Sequence, residues 1–165
     1  MAIQFNADEI FEIAIQIEKN GYTFYNECAK KIKDQEIKDL LKMLAEAEEK
    51  HEAIFETMHK NFKSSNSFIE SDDADDIRLQ YLQAVASGYV FDLNFNPVEN
   101  ISPDIKIDEI LKFALDREKD AVVFFVSMKE MVKDEKGKNS IQKIISEEIE
   151  HVIFITQQID RYCKN

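Results

Sequence analysis

The segment Leu44-Ala45-Glu46-Ala47-Glu48-Glu49-Lys50-His51-Glu52-Ala53-Ile54-Phe55 decides how the rest of the chain is read. Ile37, Leu41, Leu44, Ala47, Phe55, Met58 and Phe62 form an apolar stripe at helical spacing, and Glu48 and His51 interrupt it. One hundred positions later the same interruption recurs. There Glu148 and His151 break the stripe Ile141, Ile144, Val152, Ile155, Ile159 and Tyr162.

Working outward, two further stripes carry a single carboxylate each. Glu18 lies within Ile10, Ala14, Ile17, Gly21, Tyr25, Cys28 and Ile32, and Glu118 lies within Leu111, Ala114, Ala121, Phe125, Met128 and Val132. The segments around them repeat as well, Ile17-Glu18-Lys19-Asn20 matching Arg117-Glu118-Lys119-Asp120 at the same offset of 100. From Glu18 to His51 and from Glu118 to His151 the separation is 33 residues in both cases. Two helical hairpins of equal length would therefore bring six polar side chains to one height.

Breakers set the element boundaries. With only 3 Gly and 2 Pro in the chain, long stretches must be helical. Helices are predicted at about Asp8–Lys33, Asp34–Lys63, Asp108–Lys133 and Ser140–Tyr162, the first opened by a capping box of Asn6 and Glu9. The polar stretch Asp134–Asn139, which holds Gly137, reads as the link before the fourth. Ser64 to Ile107 is a long insert: a polar, acidic loop to Asp76, a shorter helix over Ile77–Ser87, then a crossover over Gly88–Pro103. Four helices apolar on one side cover those sides by packing together, and one long crossover makes the all-α bundle ferritin-like in arrangement.

Composition bounds the function. The 165 residues and 19.3 kDa suit one domain, 1–165, with a substantial core. An apolar share of 44% and a charged share of 33% exclude a disordered or membrane protein. The longest apolar run, Ala121 to Val126, is far short of a membrane span. A formal net charge of -12 repels polyanions, so no nucleic-acid partner is expected. The N-terminus shows no secretory signal, and Cys28 and Cys163 form no CxxC pair, which together predict a reducing cytoplasm and exclude a cysteine-only metal site.

Four inward glutamates in a low-dielectric core repel one another and lose hydration, so they must take up protons or bind cations. Two divalent ions supply +4 against -4, with Glu18, Glu48, Glu118 and Glu148 charged and His51 and His151 neutral. Carboxylate and imidazole ligands without thiolate suit iron or manganese, and ligand type alone also admits zinc. One Glu-x-x-His is a weak signal, because a charged pair at that spacing is usually a solvated helix face. Two such motifs, two further inward glutamates and one shared offset form a specific one.

At these residues the sequence resembles the ferritin-like di-iron carboxylate proteins, and most closely their small rubrerythrin-like members, over nearly the whole chain. The resemblance implies that Glu48 and Glu148 bridge two irons, that Glu18 and His51 complete one site, and that Glu118 and His151 complete the other. It further implies a non-haem di-iron oxidoreductase that reduces hydrogen peroxide or dioxygen. Two features depart from it. Peroxidase-type rubrerythrins carry another glutamate three residues from the third-helix ligand, where this chain has Leu115 and Ala121. No C-terminal CxxC module is present either, so electrons are expected from a separate donor such as a rubredoxin-type protein.

The resemblance also suggests Tyr25 as a hydrogen-bond partner beside the metals, although a core tyrosine bonded elsewhere fits equally. Its counterpart is Phe125, which would make the two metal surroundings inequivalent. Tyr22 is a weaker candidate of the same kind. His59 reads as an exposed histidine, and Glu49, Glu147 and Glu150 as surface residues or outer partners of the ligands. Cys28 reads as a small buried hydrophobe, Cys163 as exposed, and Glu70–Asp76 as a solvated loop. The expected assembly is a homodimer. Alternatives of other classes are an iron-binding or storage protein with ferroxidase activity, built as a hollow shell, and a metal-free helical adaptor.

Overall fold

The computed structural model describes residues 7–65, 77, 80, 81, 84 and 105–163. Four helices account for most of them: α1 (Ala7–Lys31), α2 (Gln35–Ser65), α3 (Ile107–Met131) and α4 (Glu135–Cys163). The expected helices are all found, three of them within about two residues of their predicted ends. The fourth starts five residues earlier than the sequence suggested, and the reason is its cap. Asp134 accepts the Gly137 N–H through Oδ1 at 2.7 Å and the Lys138 N–H through its backbone carbonyl at 3.0 Å. Gly137 thus stands in a capped first turn and not in a loop. Asp34 does the same for α2, accepting from Ile37 N–H at 3.1 Å and Lys38 N–H at 3.0 Å. The proposed Asn6–Glu9 box, the Gly88–Pro103 crossover, the Glu70–Asp76 loop and the side chains of Phe62 and Cys163 lie outside the described residues.

Three-residue links, 32–34 and 132–134, fold α1 back on α2 and α3 back on α4. Their short reach makes each hairpin antiparallel. The hairpins meet through α1 against α3 and α2 against α4. The start of α2 lies at the end of α4, where Tyr162 Oη donates to Asp34 Oδ2 at 3.0 Å and Arg161 pairs with Glu36. Ile105 and Ile107, at the start of α3, pack on the cluster that holds Ile32 and Ile37. The end of α2 and the start of α3 therefore lie at opposite ends of the bundle, the relation that a crossover connection must span. Within the connecting segment, Ile77, Gln80, Tyr81 and Ala84 are helical, and Tyr81 packs on the core.

The core is divided. One apolar cluster joins the start of α1 to the ends of α2 and α3 and the start of α4, with Ile10, Phe55, Phe125, Met128 and Ile141 among its members. The other gathers Tyr25, Cys28, Ile37, Leu41, Leu111 and Ile155 at the opposite end. Each helix buries a wider face than the narrow stripe indicates, since Phe11 and Phe24, Ala45, Phe124 and Ile145 are also buried. Between the two clusters lies a polar layer.

Candidate metal centre

That layer consists of Glu18, Glu48, His51, Glu118, Glu148 and His151, each no more than 5% exposed. They are the buried polar or charged residues of the described chain, and they are the six that the broken stripes single out. Helical rotation places Glu48 and His51, three residues apart, on one inward face of α2, and Glu148 and His151 do the same on α4. Glu18 and Glu118 enter from α1 and α3.

Their ligand atoms form two overlapping groups. Glu18, Glu48, His51 and Glu148 each offer one atom within 4.8 Å of all the others, and so do Glu48, Glu118, Glu148 and His151. Glu48 and Glu148 belong to both groups. The two imidazoles face each other with ring centres 6.1 Å apart. His151 Nδ1 lies 2.8 Å from Glu148 Oε2 and 3.5 Å from Glu118 Oε2. His51 Nδ1 lies 2.8 Å from Glu148 Oε1 and 3.7 Å from Glu18 Oε2.

The donor set fits a pair of cations on a separate count. Both Glu18 oxygens, His51 Nδ1 and Glu148 Oε1 are buried without a hydrogen-bond partner, the last two being close but misaligned. Buried polar atoms are otherwise almost always hydrogen-bonded, so lone pairs aimed into a shared centre call for an electrophile there. Without a cation, protons must supply the balance. Burial, reinforced by the neighbouring carboxylates, holds Glu18 and Glu48 well above the ordinary carboxylate range. Burial likewise raises Glu118 to about 7, although His151 opposes it. Burial works against charge on Glu148, yet its hydrogen bond to His151 and the close approach of His51 outweigh it and hold the carboxyl below the ordinary range. Burial would lower both histidines, but their carboxylate neighbours win, raising His51 to about 9 and His151 to about 10.

Two further contacts differ between the hairpins. Tyr25, buried in α1, donates from Oη to Glu118 Oε1 of the opposite hairpin at 2.5 Å. The hydrogen bond of Tyr25 thus falls on a carboxylate of the polar layer. Burial and the Glu118 charge push its phenol well above the usual value, so it remains protonated. Glu147, half-exposed, meets the outer nitrogen of His51, Nε2 to Oε2 at 3.0 Å. Sequence rotation gave Glu147 an outward face; the approach of α4 to α2 sets that face over His51. The position 100 residues earlier is Ala47, so α2 offers no matching carboxylate.

The remaining candidates stand apart from the cluster. Tyr22 is 40% exposed, and Glu49 and Glu150 are exposed. His59 is half-buried and not fully solvated, because its ring stacks on Phe11 at 5.4 Å. Cys28 is fully buried, and burial pushes its thiol up to about 12, which makes it inert. Leu115 and Ala121 both pack against apolar clusters, so no further carboxylate enters the layer beside Glu118.

An all-α bundle whose four helices each direct a carboxylate into a buried layer, two adding a histidine at i+3, is a ferritin-like carboxylate protein. The sequence matches the rubrerythrin family over residues 9–156, and the chain belongs to that family. Among solved structures it is similar to a Thermotoga maritima protein described as a ferritin-like diiron-carboxylate protein. The two are 22% identical with a TM-score of 0.69, and 97% of each chain is covered, a likeness that establishes the shared fold. No curated protein matches the chain in sequence. No helix among the described residues is long and apolar enough to cross a membrane.

Proposed function

We propose that the protein is a non-haem di-iron oxidoreductase that reduces hydrogen peroxide or dioxygen with electrons from a separate donor. The observation that carries this reading is the pair of overlapping four-residue groups sharing Glu48 and Glu148. Glu18 and His51 would complete one iron, and Glu118 and His151 the other, so that four carboxylates balance two divalent ions. Bound iron would supply the redox chemistry, cycling between ferrous and ferric states.

The chain's own residues supply the surroundings. Glu147 fixes the ring of His51 from outside, which orients Nδ1 toward the carboxylates. Tyr25 holds a proton on Oη against Glu118, a neutral donor beside the layer. Phe55 and Phe125, with ring centres 4.9 Å apart, belong to the apolar cluster on one side, and the cluster containing Leu41 and Leu111 closes the other. Both exclude bulk water and strengthen every electrostatic contact between them.

The test is to load the protein with ferrous iron anaerobically, mix it with hydrogen peroxide or with dioxygen, and follow oxidation in a stopped-flow spectrometer. Oxidation well ahead of free ferrous ion is expected. A rate equal to that of free ferrous ion with both oxidants would refute the enzymatic reading.

A further inference from the structure

Gly21 stands in the middle of α1, where glycine forms helix less readily than alanine, and its backbone adopts no conformation that demands glycine. What demands it is a neighbour. A Cβ placed on Gly21 would lie 2.9 Å from Glu48 Cδ and 3.2 Å from both Glu48 Cγ and Oε1. All three nearest atoms belong to that one side chain. Close approach of two helix backbones therefore does not explain the residue. The corresponding position in the other hairpin, Ala121, is buried and carries the Cβ that Gly21 lacks.

We propose that Gly21 is a positioning residue: the missing side chain leaves the space in which the Glu48 carboxyl is held against α1, beside Glu18. The inference rests on the reading of this layer as a metal centre. Its chemistry follows from which atoms obstruct. They are the far end of a flexible side chain, so the fold can accept alanine at 21 by turning Glu48 aside. Glu48 is buried, however, and has no solvent to turn into. Its carboxyl must shift within the layer it shares with Glu18, His51, Glu118 and Glu148, and both groups of four include it. The fold tolerates the substitution and the site does not.

Gly21→Ala and its counterpart Ala121→Gly separate these effects. Each purified protein would be stripped with chelator and titrated with Co2+, followed by visible absorption and by competition with a chelator of known affinity. The unaltered chain should take two ions. Gly21→Ala should bind at least one of them about tenfold more weakly, the scale of a disturbed ligand support, with altered Co2+ bands. Its melting temperature in chelator should equal or exceed that of the unaltered chain, because alanine is the better helix former. Ala121→Gly should melt lower in chelator yet keep Co2+ affinities within about twofold, since it crowds no ligand. Unchanged or tighter Co2+ binding by Gly21→Ala, or failure of that variant to fold, overturns the inference while leaving the metal reading intact. Failure of the unaltered chain to bind Co2+ overturns both.

Discussion

The α1–α2 hairpin and the α3–α4 hairpin each carry two glutamates and a histidine at matching positions and share buried neighbours such as Ala14/Ala114 and Phe24/Phe124, yet they differ at several positions beside the polar layer. Glu18, Glu48 and His51 answer to Glu118, Glu148 and His151, and the capping aspartates Asp34 and Asp134 follow the same offset. Around them, Tyr25 corresponds to Phe125, Gly21 to Ala121, and Ala47 to Glu147. What is repeated is the set of carboxylates and histidines; what differs is the set of groups that hold protons and orient rings. The difference teaches that the two halves are alike in the carboxylates and histidines they present and unlike in what surrounds them.

The strongest challenge to that symmetry is Glu148→Ala. Glu148 lies 2.8 Å from both His51 Nδ1 and His151 Nδ1, so its loss strands two buried imidazoles. Destabilisation of about 3–5 kcal/mol is expected by chemical denaturation, together with loss of both ions by elemental analysis. Glu118→Gln, which touches only one group of four, should remove one ion and leave the other.

Metal removal comes next. At 100-fold excess over its dissociation constant, a bound ion stabilises the fold by about 2.7 kcal/mol, so chelation should lower the melting temperature clearly. The pH dependence has a definite sign. His51 and His151 rise from an ordinary 6.5 to about 9 and about 10, so their contribution is complete below 6.5 and lost as pH climbs through those values. Glu18 and Glu48, also raised, act in the same direction from lower pH. Glu148, held low, opposes this only below the ordinary carboxylate range. Chelated protein should therefore melt at progressively lower temperature from pH 6 to pH 9, while the gain on adding metal widens, since the metal displaces protons. A flat profile for the chelated protein would contradict the charge balance described above.

Tyr25→Phe makes the first hairpin resemble the second at its most asymmetric point. Removing a hydrogen bond to a buried carboxylate should cost about 2 kcal/mol by denaturant melting, and the weakened ion should be the one held by Glu118 and His151. Smallest are the caps. Asp34→Ala and Asp134→Ala should each lower the melting temperature by about 2–4 °C in calorimetry. Asp34→Ala should lower it more, because Tyr162 also depends on that carboxylate.

The six buried polar residues were legible because periodicity is a one-helix property: a glutamate on an apolar stripe is visible without knowing what lies opposite. The offset of 100 then related the helices, and the equal separations set their heights. The start of α4 was misjudged because Gly137 reads as a breaker until Asp134 is seen to cap the turn that contains it. Phe24 and Phe124 were missed as core because a four-helix interior buries a broader arc than one stripe. Glu147 was assigned the correct rotation, but its partner is on another helix, and cross-helix distance is not written in either one. Gly21 is the clearest case, since its reason is the path of a side chain 27 positions away, Glu48.

The divided interior has one more implication. Both apolar clusters take members from all four helices, so neither hairpin owns a core that it could keep by itself. A single hairpin could close over its half of the polar layer only by pairing with a second copy, and a true twofold axis would then give both groups of four identical surroundings. Holding both halves in one chain lifts that constraint, and a phenol, Tyr25, stands in one half where a phenyl ring, Phe125, stands in the other.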